Sequence, residues 1–176
     1  MLIQLSDILL HDGKKETFTV DIGMDAIQSQ LGEFKIVEKT PLTLSITNAG
    51  EKKLEIEGTG RLVVDIPCDR CLEDVPTVFD LHIQRTLDMK QSEEDRIKDL
   101  DESNFITQTE LDVDQLVYDE VLIEWPLKVL CKEDCKGICS QCGANLNHET
   151  CSCEHEERLD PRMAAISDIF SKFKEV

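Results

Sequence analysis

The stretch LTLSITNAGEKKLEIEGTGRLVVDIPCDRC, residues 42–71, decides the fold. Its apolar residues alternate with polar ones in three successive runs: Leu42, Leu44 and Ile46, then Leu54 and Ile56, then Leu62, Val64 and Ile66. A period of two predicts half-buried antiparallel strands. Turn signals separate the runs at Asn48-Ala49-Gly50 and at Gly58 and Gly60. The stretch ends in Cys68 and Cys71, so a pair of metal-ligand candidates directly follows a strand.

The same alternation continues on both sides of this stretch. It covers Phe18, Val20 and Ile22 before it, and Phe79, Leu81, Ile83 and Leu87 after it. Arg85 alone interrupts the inward-facing series of the last run, and Pro76 is a further turn signal. The pattern therefore predicts a strand-rich region from Thr17 to Leu87.

Helices and one acidic loop are predicted after the strands. Residues 88–104 carry seven acidic and three basic residues with few apolar ones, which predicts a solvated loop. Asp112 is a candidate N-cap for a helix over 113–124 that Trp125-Pro126 ends. Asp160 and Pro161 begin a second helix signal within 154–176, whose apolar stripe packs on its own domain or docks on a partner.

These elements predict an α+β protein. Its body, residues 1–130, is a mostly antiparallel β-sheet or barrel-like structure that includes the acidic loop 88–104 and the helix 113–124. A cysteine-rich zinc-binding segment at 131–153 and the C-terminal helix at 154–176 complete the chain. The 176 residues are enough to bury a core of this kind.

The net charge of −18 limits the choice of partner. Most nucleic-acid-binding proteins gain affinity by neutralising phosphates with basic residues, which this chain does not favour. A basic protein partner, such as a ribosomal protein, therefore suits the charge better than naked RNA, and any contact with nucleic acid would have to be local or made through a partner. No apolar run is long enough to span a membrane or to form a signal peptide, so we expect a cytoplasmic protein.

Eight cysteines occur in four close pairs: Cys68/Cys71, Cys131/Cys135, Cys139/Cys142 and Cys151/Cys153. Eight thiolates satisfy two four-coordinate zinc sites. Four disulfides are the alternative, but a cytosolic chain lives among reducing thiols and close pairs crosslink little structure. The cysteines therefore predict two structural zinc ions.

Two arrangements of the pairs are compatible with this prediction. The first joins Cys139, Cys142, Cys151 and Cys153 locally, because a short loop costs less entropy to close, and leaves Cys68 and Cys71 to meet Cys131 and Cys135. The second joins Cys68/Cys71 with Cys139/Cys142, as in a zinc ribbon. His148 or His155 could replace a weak ligand such as Cys153, although a solvated surface role suits both histidines better.

Catalytic interpretations are less well supported by the residues. A redox CxxC needs a positive setting and a helix start, whereas Asp69, Glu73 and Asp74 surround Cys68 and Cys71. The PCDRC string lacks the upstream His-x-Glu of the zinc deaminases. Sites with four thiolates have no open position for a substrate, so no catalytic residue is predicted and the protein is not expected to be an enzyme.

The order of these features resembles the YceD family, described as large ribosomal RNA subunit accumulation proteins. The similar segments are CDRCLEDV, WPLKVLCKEDCKGICSQCGANLN, CSC and DPRMAAISDIF. The resemblance implies a cytoplasmic factor that supports large-subunit rRNA processing or ribosome assembly. The partner expected from it is a ribosomal protein, a pre-ribosomal particle or an assembly factor, and the net charge of −18 disfavours direct contact with rRNA. It implies structural roles for the cysteines, Gly137, Gly143, the residues Asn145 to Asn147 and the segment Asp160 to Arg162. The alternative functions are a metal-dependent nuclease or hydrolase acting on precursor rRNA and a redox-sensitive zinc protein.

Overall fold

The computed structural model describes residues 1–30, 32–90, 104–107 and 109–153. It divides the chain into two compact units, Met1–Cys135 and Lys136–Val176. The boundary follows Cys135, whereas the sequence analysis placed it after residue 130. The predicted helix of 154–176 and residues 91–103 of the predicted acidic loop lie outside the described residues.

The first unit contains two antiparallel sheets and two helices among its described residues. The strands are β1 Leu2–Gln4, β2 Lys15–Val20, β3 Ala26–Ser29, β4 Gly32–Lys39, β5 Leu42–Gly50, β6 Lys53–Pro67, β7 Asp74–Asp88, β8 Ile106–Thr107 and β9 Glu110–Asp112. The helices are α1 Ser6–Leu10 and α2 Val113–Ile123. The predicted mostly antiparallel sheet is thereby confirmed. The smaller sheet has the order β1-β9-β8, and the larger contains β2 to β7.

Strand β6 is the centre of the larger sheet. Along one edge it pairs with β7 over the whole length of both strands, from Lys53↔Asp88 to Pro67↔Asp74. Along its other edge it pairs first with β5 and then with β4. β2 pairs with β5 and β3 with β4. No pairing between described strands closes this sheet, so the observed structure is the open sheet rather than the barrel.

Three of the predicted turn signals lie inside strands. A Cβ atom on Gly58 would be 2.6 Å from Cδ2 of Leu44, and one on Gly60 would be 2.8 Å from Cδ1 of Leu42. Both glycines therefore allow β5 side chains to pack closely against β6. Pro76 lies in β7 opposite Asp65, where its missing N–H is tolerated on an edge strand. The prediction that these three positions are turns is wrong.

Helix α2 packs on the sheet through an apolar face and one ion pair. Val113, Leu116, Val117 and Val121 are fully buried. The Asp112 carboxylate accepts hydrogen bonds from the backbone N–H groups of Asp114 and Gln115, which are otherwise unpaired at a helix start. Arg85 interrupts the inward face of β7 because its guanidinium donates to the Glu120 carboxylate of α2 at 2.7 Å. No helix in the described part of the chain is long and apolar enough to cross a bilayer.

Candidate metal centres

The first cluster contains the sulfur atoms of Cys68, Cys71, Cys131 and Cys135. The first two cysteines lie in the turn between β6 and β7, and the other two lie in the segment that follows α2. All four sulfurs are within 4.8 Å of one another. Sγ of Cys68 is 3.8 Å from Sγ of Cys135, and Sγ of Cys71 is 3.5 Å from Sγ of Cys131. The hairpin turn and a distant segment thus contribute equally to one group of thiols.

The backbone of the hairpin turn is shaped around Cys68. The N–H of Leu72 donates to the carbonyl of Cys68 at 3.0 Å, which closes the turn. Leu72 adopts a positive φ of 62°, a region that favours glycine. The N–H of Cys131 approaches Sγ of Cys68 at 3.4 Å and can stabilise negative charge on the sulfur.

Asp69 and Arg70, the two residues between the paired cysteines, hold the distant segment in place. Asp69 forms a two-way contact with Val129: its N–H donates to the Val129 carbonyl at 2.9 Å, and its carboxylate accepts from the Val129 N–H at 2.8 Å. The Arg70 guanidinium donates to the carbonyl of Cys135 at 2.8 Å. Sequence reasoning missed this role, because it treated both side chains only as the charged surroundings of the thiols.

The second cluster contains the sulfur atoms of Cys139, Cys142, Cys151 and Cys153, all within 4.8 Å of one another. Sγ of Cys151 is 3.4 Å from Sγ of both Cys139 and Cys142. The N–H of Gly143 donates to the carbonyl of Cys139 at 2.9 Å, and Gly143 has a φ of 75°. This turn therefore repeats the geometry of the first cluster, with glycine at the position that Leu72 occupies there.

The asparagines of the GANLN string support the second cluster from within the same unit. The side-chain carbonyl of Asn147 accepts from the N–H of Lys136 at 2.9 Å, and that of Asn145 accepts from the N–H of Asn147 at 2.9 Å. The N–H of Leu146 donates to the carbonyl of Gly137 at 2.9 Å. These contacts fold the segment back on itself, so that residues on both sides of the turn meet.

Both clusters fit a tetrahedral zinc ion. A Zn–S bond of about 2.3 Å gives sulfur-to-sulfur distances of about 3.8 Å at tetrahedral angles, close to the separations within each cluster. None of the eight cysteines forms a disulfide. Each cluster contains one exposed cysteine, Cys131 in the first and Cys142 in the second, whereas Cys68, Cys71, Cys135 and Cys139 are buried. Four sulfurs already complete each group, so neither needs His148, and His155 lies outside the described residues.

The thiols of each cluster have divergent pKa values. Burial acts to raise the pKa of Cys68, but hydrogen bonds from the N–H groups of Cys71, Arg70 and Cys131 outweigh it and lower the pKa to about 6. The N–H groups of Cys142 and Gln141 likewise lower the pKa of Cys139 to about 6. The neighbouring thiols of Cys151 and Cys142 raise the pKa of Cys153 to about 12. A divalent cation would remove this mutual repulsion, because it neutralises the thiolates that crowd one another.

The structure brings the cysteines together in the first of the two arrangements that the sequence left open. Each group contains two pairs and no histidine. The first group joins residues that are 60 or more positions apart in the sequence, and the second lies entirely within 139–153. That these groups bind metal remains a prediction.

Comparison with known proteins places the chain in a family. A family profile described as "Large ribosomal RNA subunit accumulation protein YceD" matches residues 56–170, a range that contains all eight cysteines. Large ribosomal RNA subunit accumulation protein YCED homolog 1, chloroplastic, from Arabidopsis thaliana is 30% identical over 146 residues, covering 68% of this chain and 46% of the relative.

Two further relatives have the same partial overlap. The homologue of the same name from Zea mays is 24% identical over 160 residues, covering 75% of this chain and 54% of the relative. Uncharacterized protein YlbN from Bacillus subtilis strain 168 is 27% identical over 111 residues, covering 61% of this chain and 60% of the relative. The chain spans about half the length of the first curated relatives it matches. No solved structure matches it. Because the family profile covers most of the sequence, the chain belongs to the YceD family of large ribosomal RNA subunit accumulation proteins.

Proposed function

We propose that this protein supports the accumulation of large-subunit ribosomal RNA as a non-enzymatic assembly factor with two structural zinc ions. The observation that carries the proposal is the pair of complete four-sulfur clusters inside the region that matches the YceD family. A closed four-thiolate site holds structure and has no open position at which zinc could activate water. Each zinc ion would therefore hold the fold of the segment around it and take no part in a reaction.

The first zinc ion would be bound by Cys68, Cys71, Cys131 and Cys135, and the second by Cys139, Cys142, Cys151 and Cys153. When bound, each ion supplies a fixed tetrahedral crosslink. In the first cluster this crosslink fastens the turn of the β6–β7 hairpin to the segment after α2, which Asp69 and Arg70 already approach by hydrogen bonds. In the second cluster it stabilises a short loop that lacks regular secondary structure in its described part.

The partner that best fits the charge is a basic protein. At a net charge of −18 the chain repels the phosphates of bare RNA and attracts basic ribosomal proteins, either free or in a pre-ribosomal particle. Eight reduced cysteines suit a cytoplasmic compartment, where thiols are kept reduced. We therefore propose that the link to rRNA runs through a ribosomal protein or another assembly factor.

Depletion of the protein tests the cellular role. We expect the ratio of large-subunit to small-subunit rRNA to fall, and expression of the wild-type chain to restore it. The double substitution Cys68→Ser and Cys139→Ser should fail to restore it at equal protein level, whereas Ser45→Ala, away from both clusters, should succeed. An unchanged rRNA ratio after depletion would contradict the assembly role.

Metal analysis of purified protein tests the zinc sites separately. We expect about two equivalents of zinc in the wild-type protein and about one in each of Cys68→Ser and Cys139→Ser. Cys139→Ser should disturb only the 139–153 segment, whereas Cys68→Ser should loosen the segment after α2. Absence of metal, together with disulfides found by mass spectrometry, would overturn the zinc proposal. If the two substitutions had the same structural effect, and the double variant still held about one equivalent of zinc instead of none, the ribbon arrangement would replace the observed grouping.

A further inference from the structure

One edge of the larger sheet has no strand partner in the part of the chain that the structure describes. β7 pairs with β6 through one edge only, along all of Asp74–Asp88. Fifteen consecutive residue pairs run between the two strands without a register shift. The opposite edge of β7 is therefore a long and regular row of backbone groups.

The backbone groups on this outer edge can be assigned to alternate residues. Arg61 of β6 directs both its backbone groups away from β7: its N–H donates to the Thr40 hydroxyl at 3.0 Å, and its carbonyl accepts from the Thr40 N–H at 2.9 Å. Arg61 faces Asp80 of β7. In an antiparallel ladder, both members of such a pair point their N–H and C=O groups away from each other. Asp80 therefore presents its backbone groups to the outer edge.

Every second residue along β7 also presents its backbone groups to the outer edge, because hydrogen-bonded and non-hydrogen-bonded pairs alternate along an antiparallel ladder. The residues that face outward in this way are Asp74, Pro76, Val78, Asp80, His82, Gln84, Thr86 and Asp88. Pro76 belongs to this set, and its missing N–H is consistent with that, because a residue that points away from β6 loses no hydrogen bond to β6. From Val78 to Thr86 each outward-facing residue offers both a donor and an acceptor.

Little along this edge would prevent another strand from pairing. Natural proteins protect exposed edges with charged side chains, especially lysine, and with proline, bulges or short strands. Among the outward-facing residues there is no lysine or arginine, Pro76 lies near one end, and the carboxylates are those of aspartates, which repel an acidic segment but not a basic one. The side chains of Val78, Asp80, His82, Gln84 and Thr86 are exposed on the outer face of the sheet, and Val78 retains 45% of its surface.

The charge of the edge selects the kind of segment that can pair. Its outward-facing residues include the exposed Asp74 and Asp80 and neither lysine nor arginine. Arg61 neutralises Asp80 only weakly, at 3.9 Å between exposed groups. A second copy of this chain would bring the same acidic edge and another net charge of −18, so electrostatics opposes pairing between copies. A basic extended segment faces no such repulsion.

We propose that the outer edge of β7, from Val78 to Thr86, binds a basic extended segment of a partner protein as an added β-strand. Backbone hydrogen bonds supply the affinity, and basic side chains beside Asp80 supply the preference for charge. This inference rests on the proposed function only for the identity of the partner as a ribosomal or assembly protein.

A fluorescence-anisotropy titration of the full chain with synthetic peptides tests the proposal. The probe is a labelled peptide of alternating lysine and valine, compared with a matched peptide of alternating glutamate and valine. We expect the basic peptide to bind at least about tenfold more tightly, with affinity that falls as salt is added. On binding, hydrogen exchange of the Asp80, His82 and Gln84 amides should slow, because these N–H groups become donors to the peptide.

Backbone substitutions distinguish strand addition from simple charge attraction. His82→Pro removes one outward N–H and leaves the ladder to β6 intact, so it should weaken binding about tenfold, whereas His82→Ala should change it less than about twofold. Gln84→Pro and Gln84→Ala form a second matched pair in case His82→Pro disturbs folding. A basic peptide N-methylated at every amide should also fail to bind, although its charge is unchanged.

Four outcomes would overturn the proposal: no binding of the basic peptide, equal binding of the acidic peptide, equal binding by the proline variants, or equal binding of the N-methylated peptide. It would also fail if the three amides were already protected in the free protein, which would show that the edge is covered by this chain or by a second copy. Normal peptide binding with no effect of depletion on rRNA would contradict only the assembly role. Failed binding with reduced rRNA would contradict only the role of the edge.

Discussion

The ion pair between Arg85 and Glu120 gives an asymmetric prediction about stability. The Glu120 side chain is 9% exposed, whereas that of Arg85 is 34% exposed. Removing Arg85 would leave a carboxylate that water can barely reach, and removing one partner of a buried pair costs about 3–5 kcal/mol. We expect Arg85→Met to lower the free energy of unfolding by about 3 kcal/mol, the low end of that range because the pair is partly exposed.

The opposite substitution should cost much less. In Glu120→Leu the remaining guanidinium lies on a long, partly exposed side chain that can turn toward water, so we expect a loss of about 1 kcal/mol. The double variant replaces the pair with two apolar groups, which is often neutral, and should lie within about 1 kcal/mol of the wild type. The two changes should therefore be strongly non-additive, with a coupling of about 3 kcal/mol.

Urea unfolding at fixed zinc concentration measures all four proteins. The single tryptophan, Trp125, is a suitable probe, because its ring centroid lies 4.9 Å from that of Phe34 and 5.8 Å from that of Phe79 in β7. A change in the urea concentration at the unfolding midpoint, with no change in the slope of the free energy of unfolding against urea, would report a change in stability. Equal losses for the two single variants, or losses that simply add in the double variant, would refute the reasoning that burial of Glu120 sets the cost.

Three further predictions concern the turns and the start of α2. Leu72→Gly should relieve the strain of a positive φ and make the first cluster retain zinc more strongly against a chelator. Gly143→Ala should weaken zinc retention by the second cluster by about 1 kcal/mol. Shifts of zinc retention in the same direction in both variants would contradict this account. Gly58→Ala should lower the free energy of unfolding by about 1–3 kcal/mol, because its Cβ would lie 2.6 Å from Cδ2 of Leu44, while Thr59→Ala on the exposed face should change it by less than about 0.5 kcal/mol in the same urea assay. Burial acts to raise the pKa of Asp114, but hydrogen bonds from the Met1 ammonium and the Gly23 N–H lower that pKa below its ordinary 3.8. Asp114→Asn should therefore be less stable than the wild type at pH 7. Urea titrations at several pH values should show the free energies of unfolding of the two proteins converge as the pH falls below 3.8.

The sequence predicted the features that depend on local patterns. Alternating apolar residues identified β2, β5, β6 and β7, whereas β1, β8 and β9 lie outside the region in which strands were predicted. Asp112 marked the start of α2, where its carboxylate does accept the first free N–H groups. Loop-closure entropy also favoured the grouping of cysteines that the structure adopts, because the second cluster needs only the short segment 139–153. In each case the deciding interaction joins residues close together in the chain.

Features that depend on distant neighbours were not predictable in this way. Gly58 looks like a turn residue until Leu44 is known to pack over it, and β6 then continues through the position. Arg85 is a charged residue among the apolar residues on the inward face of β7, and only the position of Glu120 on α2 explains it. The contacts that Asp69 and Arg70 make with the segment after α2 likewise join residues that lie far apart in the sequence. A local sequence pattern cannot specify which side chain or backbone group from a distant part of the chain will contact a residue in the folded structure.

The composition of the first cluster has a consequence for the order of events during synthesis. Cys71 and Cys131 are separated by 60 positions, so the ribosome makes one half of this cluster well before the other. At about 5–20 residues per second, the turn of the β6–β7 hairpin waits roughly 3–12 s for the thiols that complete it. A nascent chain held at this stage would display an unfinished pair of thiols, and its final closure would mark the moment when residues up to Cys135 have left the exit tunnel.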